Sequence, residues 1–239
     1  MNLKNQKVVI MGGASGIGLS TAKLASAAGA QVIITGRNSE KLKNALAELS
    51  SSAKGVVVDA KSSEALQNFY LDIGKFDHLV LSMSGKVGGG SFKSLNSELL
   101  HQAFDAKFFP YFLAIQYGLQ TLNKTGSIVL VTAGSARSSF VGTSGLAAIN
   151  GALEAMIPPL TLELKPLRIN AVSPGIINTP WWNAMPKDQR EHTFAQIAVN
   201  TPVGRIGHPD DIAQAILFLL ENTYMAGTII ECDGGMRIK

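Results

Sequence analysis

An α/β fold, a single doubly wound parallel sheet of about seven strands with helices on both faces, is what the 239-residue sequence predicts. Three observations predict it. Short β-branched runs alternate with stretches whose apolar residues recur at helical spacing. Several of these runs are apolar throughout, as strands covered on both faces must be. A glycine-rich turn also joins the first strand to the first helix, where an α/β sheet places its nucleotide-binding loop.

The elements follow in order. KVVIM (7–11) opens the sheet and passes through Gly12, Gly13, Ala14, Ser15, Gly16, Ile17 and Gly18 into the helical stretch TAKLASAAGA (21–30). Glycines in such a turn let the backbone bend sharply and approach a pyrophosphate held at the helix N-terminus. QVIIT (31–35) leads into the helical EKLKNALAELS (40–50), and GVVVD (55–59) and HLVLS (78–82) continue the alternation. SIVLVT (127–132), RINAV (168–172) and TIIEC (228–232) complete the strands. GLAAINGALEAM (145–156) reads as the start of a helix, but Pro158 and Pro159 follow it. Each proline removes a backbone donor and costs roughly 3 kcal/mol in a helix interior, so a kink or break is expected near Ile157. No repeat and no linker interrupts the alternation, and residues 1–239 read as one domain.

The totals bound the function. A composition that is 46% hydrophobic and 16% charged is that of a globular chain with a substantial core. The net charge of +4 is carried by dispersed Lys and Arg, which argues against nucleic acid as a partner. Cys232 is the only cysteine, so no intrachain disulfide can form and a reducing compartment fits. His78, His101, His192 and His208 show no ligand-like spacing, and no metal site is expected. No apolar run reaches bilayer-spanning length and the N-terminus has no signal-peptide pattern, so no membrane partner and a cytoplasmic location are expected.

The spacing Gly12, Gly16, Gly18 resembles the GxxxGxG turn of the short-chain dehydrogenase/reductase family, a Rossmann-type fold, and the resemblance runs through nearly the whole chain. Asp59 matches the family's adenine-contacting Asp, with Ala60 beside it. Phe76-Asp77-His78-Leu79-Val80 and the following Leu81-Ser82-Met83-Ser84 stand where the family usually reads DxLVNNAG. Ser173-Pro174-Gly175-Ile176-Ile177-Asn178-Thr179 matches the PGxxxT segment that folds over the nicotinamide end of the cofactor. Pro202-Val203-Gly204-Arg205 and Cys232-Asp233-Gly234-Gly235 match the C-terminal signatures. The resemblance implies cofactor contacts from Gly12, Ser15, Gly16, Ile17, Gly18, Arg37, Asn38, Asp59, Ala60, Met83, Ser84, Asn150, Pro174, Gly175 and Thr179. It also implies a small-molecule substrate, a substrate lid at about 178–200, and a homodimer or homotetramer.

Cofactor choice follows from charge. The second strand ends Thr35-Gly36-Arg37-Asn38, with no acid to bind a ribose 2′-OH or repel a 2′-phosphate. Arg37 can make charge-assisted bonds to such a phosphate, so NADP(H) is favoured over NAD(H).

The family's chemistry uses a Tyr as general acid/base, a Lys four residues later that lowers its pKa, a substrate-positioning Ser and a relay Asn. Aligned on Ala152-Leu153-Glu154-Ala155, the Tyr position is Leu146 and the Lys position Asn150; the Ser position is Ala133 and the Asn position Lys107. No tyrosine in the chain has Lys at i+4. Lys107, amid Phe104, Phe108 and Phe109, is the remaining candidate for a catalytic group. Partial burial there would lower its pKa and make it a proton donor or oxyanion clamp, unless its amine reaches water or pairs with Asp105 or Glu98. Asn150 is expected to keep a hydrogen bond to the nicotinamide ribose, or else to bond locally to backbone. Ser135, Arg137 and Ser144 lie where they could anchor a polar or anionic group. Trp181, Trp182 and Met185 would cover an apolar substrate, meet another subunit, or simply pack. Gly88-Gly89-Gly90 gives the rim a flexible segment or a turn. Three readings stand: an NADP(H)-dependent oxidoreductase with an unusual proton donor, a redox-inactive NADP(H)-binding sensor or partner subunit, and a non-redox enzyme on the same scaffold.

Overall fold

Residues 3–85 and 87–238 are described by a computed structural model. Seven parallel strands form one sheet: β1 (Lys7–Met11), β2 (Gln31–Gly36), β3 (Lys54–Val57), β4 (Phe76–Leu81), β5 (Leu122–Val131), β6 (Arg168–Pro174) and β7 (Ile229–Cys232). Their spatial order is β3-β2-β1-β4-β5-β6-β7, so the winding reverses between β1 and β4. That reversal leaves a crevice at the carboxyl ends of the strands, where open α/β sheets bind their ligands.

Two apolar layers follow from the two-residue period of a strand. Val9, Met11, Leu79, Leu81, Ile128 and Leu130 face one side, with Tyr70 of α3 (Ser63–Ile73), Tyr111 of α5 (Phe108–Gly118) and Leu153 of α6 (Ser144–Glu163). Val8, Ile10, Val32, Ile34, Val80 and Val129 face the other, with Ala22 of α1 (Gly16–Ala27), Leu42 of α2 (Ser39–Leu46) and Ile216 of α8 (Pro209–Glu221). Both faces are covered, which is why the strands read as continuous apolar runs. The remaining helices are α4 (Ser97–Ala106), which precedes α5, and α7 (Lys187–Asn200), which follows a short 3-10 turn at Pro180–Ala184.

Two expectations need correction. The break near Ile157 is absent, because α6 is one helix with Pro158 and Pro159 inside it. Only the rungs to the Glu154 and Ala155 carbonyls lose their donors, while Ile149, Leu153 and Ile157 hold the helix to the core before the prolines and Leu160 packs on it after them. The second concerns apolar length: α6 has 20 residues and is apolar enough to cross a bilayer by length and composition. In the fold it is a layer helix, with Ile149, Leu153 and Ile157 buried against the sheet and Asn150 and Glu154 buried beside them.

Candidate active site

At the crevice lies a cleft of about 910 Å3 lined by the residues that follow β1, β4, β5 and β6. Its nucleotide end is built from glycine. Gly12 has φ +83°, and a Cβ there would stand 2.7 Å from the Ser82 carbonyl oxygen. A Cβ on Gly18 would come 2.2 Å from the Gly12 carbonyl oxygen, so only glycine lets α1 pack this closely on the turn. Ser15 precedes α1 without capping it through its side chain, which leaves first-turn N–H groups free to meet an anion. These features fit a dinucleotide pyrophosphate. Thr179 packs on the same turn, its Cβ 3.3 Å from the position a Gly16 Cβ would take.

Of the residues singled out in the sequence, the structure brings Gly12, Ser15, Gly16, Ile17, Arg37, Asp59, Ala60, Met83, Ser84, Lys107, Asn150, Pro174, Gly175 and Thr179 to this cleft. Gly18 and Asn38 do not line it. Gly18 supports the turn from behind, and the Asn38 side chain caps α2 by accepting from the Lys41 backbone N–H at 2.9 Å. Lys41 and Lys61 line the same end as Arg37, a cationic trio of which the sequence reading had only the arginine.

At the other end α4 stops at Ala106 and α5 starts at Phe108, so Lys107 sits at the joint. Its ammonium donates to the Asn150 Oδ1 at 2.7 Å and to the Thr132 carbonyl at 3.1 Å. The expected alternatives, a pairing with Asp105 or Glu98, are therefore not what holds it. Burial lowers its pKa to about 7, against an upward pull from the Glu154 carboxylate. The Asn150 amide orientation follows from its partners. Lys107 can only donate and the Leu146 carbonyl can only accept, so Oδ1 faces the lysine and Nδ2 faces Leu146, 2.8 Å away. The second Nδ2 hydrogen points to Ser135 Oγ at 3.3 Å, which leaves the serine's own hydrogen available. One lone pair of Oδ1 is all that remains for the ribose bond expected of Asn150.

Several neighbours are already engaged within the protein. Arg137 pairs with Glu154 at 3.0 Å and with Glu231 at 2.6 Å, so its charge is already matched and it is no anchor for an anion. The Tyr111 hydroxyl is buried 2.9 Å from both the Met83 and Val131 carbonyls, and burial pushes its phenol far up. Among the described residues lining the cleft there is no tyrosine. Ser138 lines it with a buried hydroxyl that has no hydrogen-bond partner among the described residues.

Trp181 and Trp182 form the outer wall, edge to face at 4.8 Å, with Phe194 of α7 behind Trp182 at 5.5 Å. The Trp181 indole donates to the Gly85 carbonyl at 3.1 Å, so this wall is tied across the cleft to the loop after β4. Met185 does not line the cleft and accepts from the Thr193 hydroxyl instead. Ser144 is the first residue of α6 and does not line it either. The glycine segment is tied down by a bond from the Gly90 N–H to the Gly142 carbonyl at 2.8 Å.

A family model described as enoyl-(acyl carrier protein) reductase matches residues 12–237. The chain belongs to the short-chain dehydrogenase/reductase family. It is an oxidoreductase of that type. The bovine (Bos taurus) 3-oxoacyl-(acyl-carrier-protein) reductase is 30% identical over 237 residues, covering 96% of this chain and 97% of that one. A small-chain dehydrogenase solved in complex with NADPH is 31% identical with a TM-score of 0.85, covering 98% of this chain and 99% of that one. A short-chain oxidoreductase from Pseudomonas aeruginosa PAO1 with an atypical catalytic centre is 26% identical with a TM-score of 0.90, covering 99% and 98%.

Sequence reading also missed Thr132, Glu154 and Glu231 at this site. Glu154 could have been found, because it lies four residues after Asn150 and so shares its helix face. Glu231, 94 residues from its partner Arg137, carried no local signal.

Proposed function

We propose that this protein reduces a carbonyl compound of apolar character with NADPH, using Lys107 in place of the family's tyrosine as the proton source. The observation that carries this reading is the Lys107 ammonium at the cleft floor, fixed by Asn150 and Thr132 and held near neutral pKa. A donor that titrates near working pH can give and regain a proton efficiently.

NADPH, when bound, supplies the hydride. Gly12, Gly16, Ile17 and the first-turn N–H groups of α1 cradle its pyrophosphate, with Gly18 holding the turn from behind. Asp59 and Ala60 border the adenine, while Met83, Ser84, Pro174, Gly175 and Thr179 enclose the nicotinamide end. Arg37, with Lys41 and Lys61 beside it, takes the 2′-phosphate and favours NADP(H) over NAD(H). Ser135 and Lys107 stand at opposite ends of one amide, so a substrate oxygen between them receives a hydrogen bond from the serine and the proton from the lysine. Neutral Lys107 then regains its proton from solvent. Leu146, Ala133 and the Trp181–Trp182 wall give the pocket its apolar character, and Ser138 offers one buried hydroxyl to a polar group on the substrate. Phe109 and Phe112 remain 47% and 42% exposed on α5, a surface suited to a second copy in a homodimer or homotetramer.

Titration with NADPH and NADH, followed by a panel of aliphatic and aromatic carbonyls, tests this. NADPH should bind at least tenfold tighter than NADH, and Arg37→Ala should erase most of that preference, since a charge-assisted bond is worth about 1.5–3 kcal/mol. NADPH should be consumed with at least one carbonyl. Tight binding with no consumption across the panel would instead support the redox-inactive reading.

A further inference from the structure

Behind Lys107 runs a second line of polar groups that the reduction does not use. Thr132, the residue after β5, holds both ends of it. Its carbonyl accepts from Lys107, and its hydroxyl donates to Glu154 Oε1 at 2.8 Å. The same hydroxyl lies 3.3 Å from the Val172 carbonyl, but its one hydrogen is better placed on the nearer, charged acceptor. Glu154 is only 7% exposed and takes the Arg137 Nε on its other oxygen. Arg137 already has a second acid in Glu231, which in turn pairs with Arg237. A buried carboxylate is costly to keep unless it is paired, and Arg137, its partner here, is shared with Glu231.

We propose that Glu154 is a positioning residue for the proton donor: through Thr132 it fixes the carbonyl on which the Lys107 ammonium rests, and its charge keeps that lysine protonated, with Arg137 setting how much of the charge is felt. The inference rests on the reading of Lys107 as proton source. Burial favours the neutral amine and Glu154 opposes it. The other groups near the ammonium leave Glu154 as its nearby counter-charge. Asn150 of α6 is uncharged, Tyr111 of α5 is a buried phenol 5.6 Å from the amine at its ring centroid, and Asp105 of α4 is exposed. Glu231 of β7 lies beyond Arg137 and is offset by Arg237.

The test needs no cofactor. In the full chain labelled with [13Cε]lysine, the Lys107 signal, assigned by its loss in Lys107→Met, is titrated by NMR. Glu154→Gln should lower the midpoint by about one pH unit, because an opposite charge is removed, and Arg137→Gln should raise it by a similar amount. Opposite signs are what a field produces; a role in packing alone would not give them. An unmoved midpoint in folded Glu154→Gln, or shifts of the same sign in both variants, overturns the proposal. Should Glu154→Gln fail to fold, Arg137→Gln carries the test, since Glu231 keeps Arg237, and absence of an upward shift overturns it. In turnover, the alkaline limb of the rate profile should follow the midpoint in each variant. Shifted midpoints in a protein that consumes no carbonyl would uphold the control of Lys107 by Glu154 and refute the reductase reading. Turnover that depends on Lys107 with an unmoved midpoint in Glu154→Gln would do the reverse.

Discussion

Lys107 comes from the α4–α5 joint and Asn150 from α6, and the two meet at 2.7 Å. The contact holds a cation in a cleft whose described lining residues include no tyrosine. Another buried titratable residue, His78, sits at the amino end of the sheet. With Gln6 presenting its oxygen to Nε2 at 2.5 Å, the ring hydrogen is there, and Nδ1 accepts from the Ser127 hydroxyl at 2.7 Å. Burial, with Arg168 and against Asp77, lowers its pKa to about 4. Because the folded value lies below the unfolded one, the unfolded chain binds more protons between about pH 6.5 and 4, and stability falls as pH drops through that window. The loss is on the order of 3 kcal/mol. Urea unfolding at pH 7 and pH 4 should show the difference shrinking by about this amount in His78→Gln, and an equal difference in both proteins would contradict it.

Among the elements, α6 shows what sequence pattern can and cannot decide. Its apolar face was legible, but the two prolines outweighed it in the reading and not in the fold. Pro158 and Pro159 are exposed, so replacing both with alanine removes no core packing and restores two backbone donors. Stability should rise by about 1–3 kcal/mol, since the restored helix bonds are partly offset by a looser unfolded chain. Thermal unfolding checks this, and a lowered midpoint would show that the prolines stabilise the helix. The joint at Lys107 carried one signal: Pro110, in the first turn of α5, cannot donate to the Ala106 carbonyl four residues back, and the backbone leaves helical geometry at Lys107 with φ −135°, ψ −55°. Asn38, one residue after Arg37, caps α2 through its side chain, the simplest role of an Asn that precedes a helix.

Across the whole molecule, the sheet was readable because its central strands are buried on both faces, which makes them apolar runs bounded by polar turns. The glycine turn was readable because strand, turn and helix are contiguous in sequence. The ionic line Glu154–Arg137–Glu231–Arg237 was not, because it joins α6, the loop after β5, β7 and the C-terminal segment, which meet only in the fold. In the proposed function, Lys107 is the residue on which catalysis depends. The most direct measurement compares native protein with Lys107→Met for NADPH affinity and for kcat on the best carbonyl. The expected result is a kcat at least about 100-fold lower, the usual worth of a general acid, with NADPH affinity within about twofold. An unchanged kcat with NADPH still bound would show that the proton comes from elsewhere, and would contradict the assignment of Lys107.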